Sequence, residues 1–371
     1  MEQLGWDQVH AWRLARQRLS PRATSGVILD VVRSICGLHA QLLPAAELAL
    51  WARTEQLAPG ALEEALWETR SLVKTWVMRG TLHILAADDL PLYAAARRTH
   101  TPRRPPSYYT YHGVTPEELA AIEEAVPVVL GGTGMTREEL ADAVAARAGS
   151  PRLAEVLRSG WGALLKPAAG RGELCFGPNQ GRNVTFVASA LWLGAWRVEE
   201  PEAALREVAR RFLAAYGRAT PEEFARWWGT EPAPAKRLFK ALGDELVAVE
   251  VEGWRGWALT STLPELLSTP PAQYVALLPA FDPYTVTLCR HPAVLAPGHL
   301  ARVSRPQGWI SPVVLVGGRI VGTWEHEARR EATTITCSLF MPATDALREQ
   351  VAGEAERLGA FLGTPTTLTF A

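Results

Sequence analysis

Three times along the chain, short amphipathic helices run into two β-rich stretches joined by a glycine-containing turn, and no other feature narrows the fold as far. In the first copy, helices are expected over residues 6–19, 27–38, 45–53 and 62–67. Leu72 to Leu85 is then β-rich, with a hairpin signal at Arg79-Gly80. The second copy begins at Gly131-Gly132. Thr136-Arg137-Glu138-Glu139 reads as a capping box opening a helix to Arg147, a helix over 152–166 follows, and residues 172–186 read as strand, turn and strand. The third copy has helices over 205–216, 220–228 and 233–242, then β-rich residues 246–251 and 256–259. Helices followed by a hairpin are the pattern of the winged helix, a helix-turn-helix variant whose wing is that hairpin.

From Gln273 onward the texture changes. Strands are expected over 274–278, 309–310, 313–316, 319–324 and 333–340, with a tight turn at Gly317-Gly318, and a helix over 347–358. The expected fold is therefore α+β and mainly α: three tandem winged-helix units in a curved arrangement plus a small C-terminal β-rich domain. The expected boundaries are 1–130, 131–200, 201–265 and 266–371. The stretch Thr99 to Gly113, rich in proline, arginine and tyrosine, is expected to be non-helical. It reads equally as a nucleic-acid groove or as a solvated linker pinned by its tyrosines.

Composition limits the partners. No apolar run reaches the ~18 residues of a membrane span, and the N-terminus has no basic-then-apolar signal pattern. A cytoplasmic protein without membrane contact is expected. Four scattered cysteines give no Cys-x-x-Cys pair, so neither a structural zinc site nor a disulfide framework is expected. Without a heptad segment, a monomer is expected.

The formal net charge is −1, which alone argues against nucleic acid, but affinity for DNA follows local phosphate neutralisation. No acidic residue lies between Asp89 and Glu117, where Arg97, Arg98, Arg103 and Arg104 fall, or between Glu173 and Glu199, where Arg182 falls. Lys236, Arg237 and Lys240 lie on the helix of the third unit that is expected to read DNA. A GC-rich genome produces the same arginine bias. These eight cations are the candidate duplex-DNA contacts.

The chemistry is expected in Leu38-His39-Ala40-Gln41-Leu42-Leu43-Pro44. Gly37 weakens the helix before it. Pro44 disfavours helix at Leu43 and suits the first turn of the next helix. His39 and Gln41 thus fall in an extended joint, where residues two apart point the same way. They lie beside a helix N-terminus that favours negative charge. The bland alternative is a polar loop under a helix pair.

This stretch, with Trp51-Ala52-Arg53 behind it, resembles the signature of the AlkZ-like DNA glycosylases in a His-x-Gln form. So do Arg79-Gly80-Thr81-Leu82-His83, Leu277 to Tyr284 and Ile310 to Arg319. The resemblance implies a monofunctional glycosylase that releases alkylated purines from duplex DNA, in base-excision repair or genotoxin resistance. It makes His39 and Gln41 the catalytic pair, and Thr81 and Arg79 a lesion pocket. No cofactor and no metal are implied. A purine substituted at N7 or N3 is cationic and departs without an added proton, while the sugar becomes oxocarbenium-like. Gln41 can then hold a water and neutral His39 can accept its proton.

The competing reading is a non-catalytic winged-helix DNA-binding protein, which has no use for this pair. A metal-dependent nuclease is disfavoured for lack of an Asp/Glu/His cluster. Glu325-His326-Glu327 reads as a charged turn, His83 as structural, and Asp282 as an Asx turn or a catalytic acid.

Overall fold

In the computed structural model, residues 2–24, 28–99, 104–159, 162–197, 199–329 and 331–371 are described. The fold is α+β and mainly helical, with several small sheets. The chain forms two compact bodies. The larger comprises Met1–Leu62, Arg210–Trp227 and Glu231–Ala371, and the smaller Glu63–Ala209 and Trp228–Thr230. Among the described residues no helix is long and apolar enough to cross a membrane.

In the larger body, strand Leu246–Val251 pairs antiparallel with Trp254–Leu259, as the pattern predicts. The N-terminal strand Glu2–Leu4 adds to it in parallel, with Leu4 opposite Val251. Helix Trp6–Arg16 follows and buries Trp6, Val9 and Trp12 against Val249, Val251, Ala258 and Leu266.

The C-terminal part of this body is a five-stranded sheet in sequence order: Val275–Leu278, Val313–Val316, Arg319–Ala328, Thr333–Leu339 and Thr366–Phe370. Gly317 and Gly318, both at positive φ, form the two-residue turn between the second and third strands. A side chain at Gly318 would also collide with His10. Helix Asp345–Leu362 is capped by Thr344 and buries Val351, Ala355 and Leu358.

The smaller body holds the hairpin Leu72–Trp76 and Leu82–Ala86. It also holds the sheet of Met135–Thr136, Leu174–Gln180 and Asn183–Ala188, with the last in the middle. Thr75 donates to the Leu174 carbonyl at 3.1 Å, tying one to the other. Trp76 packs on Phe176 and Phe186 in a core shared with Leu119, Ile122 and Leu140. Helices Pro116–Val129 and Arg137–Ala148 begin with complete capping boxes, Thr115/Glu118 and Thr136/Glu139.

Several expected elements differ. The 27–38 helix is described only over Ile28–Ser34, because Cys36 and Gly37 turn left-handed. The 152–166 helix is described over Arg152–Ser159, and a short turn at Ala163–Leu165 and helix Lys166–Gly170 follow Gly162. Gly162 has φ +76° and presses on the Trp76 ring, a place that tolerates no Cβ. Part of the stretch expected to be irregular is helical, Pro106–His112, started by its proline and ended by left-handed Gly113. Glu325-His326-Glu327 is not a turn: it lies within strand Arg319–Ala328, opposite Thr336, Ile335 and Thr334. Of Trp309-Ile310, only Ile310 forms an isolated bridge, to Ser304.

Arg53 and Asp282 form a fully buried pair, with contacts of 2.6 and 2.9 Å. Replacing Asp282 with Ala strands a buried guanidinium and is expected to cost about 3–5 kcal/mol, measured by chemical denaturation. A loss under about 1 kcal/mol would show the pair to be dispensable.

Candidate active site

The joint expected to carry the chemistry is extended. After the left-handed turn at Cys36 and Gly37, Leu38–His39 is a short strand. Leu38 and Ala40 are buried, His39 is half-buried and Gln41 is exposed. Burial thus alternates: Leu38 and Ala40 lie in the core, while His39 and Gln41 are more accessible. Leu42 is also extended, and Pro44 sits in the first turn of helix Leu43–Trp51. That helix has no side-chain cap and no acidic residue in its first turn. Its free N–H groups therefore present partial positive charge beside Gln41.

The far end of the same helix is fixed. Arg53 donates to the Ala49 carbonyl and to both Asp282 oxygens. Ala23 N–H donates to the Arg53 carbonyl at 2.8 Å, and Arg357 donates to the Trp51 carbonyl at 3.0 Å. Asp282 also accepts from Tyr284 N–H as the cap of helix Pro283–Leu288. It is thus an Asx-type cap and an ion-pair partner, fully buried. The sequence reading passed over Leu42, which is 40% exposed directly after Gln41. Its signal is an apolar residue just ahead of a proline-led helix.

Arg79 and Gly80 form the tip of the first hairpin, at φ +54° and +64°. This tip is not a free loop, since Gly229 lies so close that a Cβ there would come within 2.7 Å of the Arg79 Cα. Thr81 donates its hydroxyl to the Met78 carbonyl, and His83 Nδ1–H donates to the Thr81 carbonyl at 2.9 Å. Burial, with help from the Arg79 charge, lowers the His83 pKa to about 3. A neutral, hydrogen-bonded imidazole in a strand suits a structural role.

The candidate DNA cations are differently placed. In the smaller body, Arg98 is exposed, and so is Arg182 at the tip of its hairpin. Arg97 is half-buried with its guanidinium over the Trp228 ring, and burial lowers its pKa. Arg104 pairs with Glu123 at 2.8 Å, a carboxylate that competes with any phosphate. Arg103 lies outside the described residues. In the larger body, Lys236, Arg237 and Lys240 are exposed on helix Pro232–Leu242, opposite its buried Ala235, Leu238, Phe239 and Leu242. Lys236 also contacts Glu222 at 3.0 Å. The structure thus brings these three onto one helical face, and holds Arg97 and Arg104 in local contacts.

Two measurements follow. Arg182→Ala is expected to reduce the slope of log affinity for duplex DNA against log salt by about 0.9, whereas Arg97→Ala should leave the slope unchanged and lower stability. Equal slopes in both variants would remove Arg182 from the DNA contacts. For His83, the unfolded chain binds a proton below its ordinary pKa of ~6.5, while the folded chain stays neutral down to about 3. Stability is therefore lost as pH falls through that window. His83→Gln should flatten the decline by up to ~1.4 kcal/mol per pH unit in denaturation series between pH 7 and 5. An unchanged slope would mean that folded His83 takes up the proton.

A model of the family described as "DNA glycosylase AlkZ-like" matches residues 32–361, which include the joint and the three other motif stretches. The chain is 42% identical over 328 residues to the interstrand DNA cross-link repair glycosylase of Streptomyces sahachiroi, across 86% of this chain and 87% of that one. Its fold is similar to the solved structure of the Streptomyces sahachiroi DNA glycosylase AlkZ. The TM-score is 0.89 at 36% identity, with 100% of each chain covered.

Proposed function

The chain belongs to the AlkZ-like DNA glycosylase family and is a DNA N-glycosylase, and from that premise we propose that it excises cationic N7- or N3-alkylated purines from duplex DNA with His39 and Gln41 as its catalytic pair. The observation that carries this reading is the joint itself. Two polar side chains alternate with two buried ones on extended backbone, beside an uncapped helix N-terminus.

The lesion brings its own positive charge, so the departing base needs no general acid and no cofactor. What remains is to deliver water to C1′ of an oxocarbenium-like sugar. The Gln41 carboxamide oxygen accepts a hydrogen bond from that water and orients it. His39, neutral, takes the proton as the C–O bond forms. The helix N-terminus favours the hydroxide-like charge that develops on the water. Leu42, apolar and exposed beside Gln41, is placed to pack where the extruded nucleotide leaves the stack. Thr81 and Arg79 are assigned to the lesion pocket, although both already serve the turn that holds them.

In this reading the helix-and-hairpin segments of 1–130, 131–200 and 201–265 are tandem winged helices, followed by a β-rich domain over 266–371. The exposed Arg98, Arg182, Lys236, Arg237 and Lys240 meet phosphates. The protein acts as a monomer in the cytoplasm, in base-excision repair or in resistance to a genotoxin. The relative from Streptomyces sahachiroi is named for interstrand cross-links. A histidine at position 39 supplies a base that glutamine cannot, and we assign it to smaller alkyl lesions. A non-catalytic DNA-binding protein gains nothing from this joint, so the enzymatic reading is preferred.

Gln41→Ala is expected to abolish base release from an N7-methylguanine duplex while leaving duplex affinity within about twofold, since neither residue clamps a phosphate. His39→Gln should slow release by ~10²-fold or more and flatten the acid limb of the pH–rate profile. An unchanged profile with shifted lesion preference would reassign His39 to pocket shape. Full activity in Gln41→Ala would refute the catalytic pair.

A further inference from the structure

The larger body contains a cavity of about 310 Å³, near the lower bound for small-molecule sites. Its inner wall includes Arg13, whose side chain is buried on helix Trp6–Arg16. Arg13 Nε donates to the Tyr216 carbonyl at 2.8 Å and Nη2 to the Arg218 carbonyl at 3.2 Å, while Nη1 has no protein partner. Both partners are main-chain groups; among the described residues no carboxylate lies within ion-pair distance of this buried cation, although Glu223 acts on it electrostatically from farther away. The cavity's Glu223 is taken by Arg218, at 3.0 Å from its Nη1.

His291, only 9% exposed, also lines the cavity. Ala293 N–H donates to its Nδ1 at 3.2 Å, so the neutral ring carries its proton on Nε2. That Nε2–H is buried and has no protein partner. At the mouth, Arg226 and Arg290 are exposed, as is Trp254, whose ring lies 4.8 Å from that of His291.

The lining thus offers four guanidiniums against one carboxylate, and among the described residues three of its buried donors, Arg13 Nη1, Arg218 Nε and His291 Nε2, have no protein partner. A buried donor without an acceptor is costly, and a buried arginine without an anion more so. The missing group is an acceptor carrying more than one negative charge, and arginine forks match phosphate. A partly exposed indole at the mouth supplies a stacking face for a base.

We propose that this cavity binds the phosphate of a nucleotide, free or within a DNA strand, with Arg13 and His291 Nε2–H as inner donors, Arg226 and Arg290 at the mouth, and Trp254 under the base. The proposal does not rest on the His39–Gln41 reading, because it invokes no residue of the joint.

The test is calorimetric titration of the full chain with inorganic phosphate, with dAMP, and with a lesion-free duplex. The wild type should bind phosphate, and dAMP more tightly. Arg226→Ala/Arg290→Ala, which changes only exposed side chains, should weaken both by about tenfold or more. Trp254→Ala should weaken dAMP and spare phosphate. Should the double variant also lose duplex affinity, with phosphate competing against the duplex, the ligand is a DNA phosphate. Unchanged duplex affinity identifies a free nucleotide. Absence of phosphate and dAMP binding at millimolar concentration would overturn the proposal. So would binding that the double variant leaves intact, and dAMP affinity indifferent to Trp254 would overturn the nucleotide assignment.

Discussion

Arg53 and Asp282 meet with both side chains fully buried, through two contacts of hydrogen-bond length. A buried ion pair adds little net stability, because desolvation offsets its attraction. Its effect is geometric. Arg53 ends the helix Leu43–Trp51 and also holds the Ala49 carbonyl, while Asp282 caps the helix Pro283–Leu288. Tyr284, two residues on, donates to the Gly318 carbonyl in the turn between two strands of the C-terminal sheet. Three stretches that carry the family resemblance are therefore bonded in sequence: Trp51-Ala52-Arg53, Phe281-Asp282-Pro283-Tyr284 and Gly317-Gly318. None of those contacts touches a reacting atom. They fix the axis of one helix, and that helix has the candidate joint at its other end.

In the proposed reading, this arrangement is what makes weak catalytic groups usable. A carboxamide and an imidazole gain power through position rather than reactivity. Position at an extended joint is soft unless both flanks are held. On one flank Leu38 and Ala40 are buried. On the other, Pro44 starts a helix whose far end is tied by Arg53, Ala23 and Arg357. The more accessible His39 and Gln41 lie between these two fixed flanks.

What was legible in the sequence was local. The capping box at Thr136, the turns at Arg79-Gly80 and Gly317-Gly318, and the joint between Gly37 and Pro44 each depend on a few adjacent residues. What was not legible depends on distant partners. The strand Glu2–Leu4 is too short to show a period and pairs with residues near 250. Thr366–Phe370 pairs in parallel with Thr333–Cys337 across an intervening helix. Gly162, within the expected 152–166 helix, takes φ +76° and lies where Trp76 leaves no room for a Cβ. Arg97 and Arg104 read as free cations in sequence, yet a ring and a carboxylate from other segments engage them. The cavity lined by Arg13 and His291 was beyond reach for the same reason, since its residues run from Arg13 to Pro292.

The central claim is that this joint releases a cationic alkylated purine. The most direct measurement is incubation of the purified chain with duplex DNA carrying one N7-methylguanine, with mass spectrometric detection of the free base and of the abasic strand. Stoichiometric N7-methylguanine beside an unbroken abasic strand is the predicted result. Tight binding of the duplex with base release no faster than in a protein-free control would contradict it.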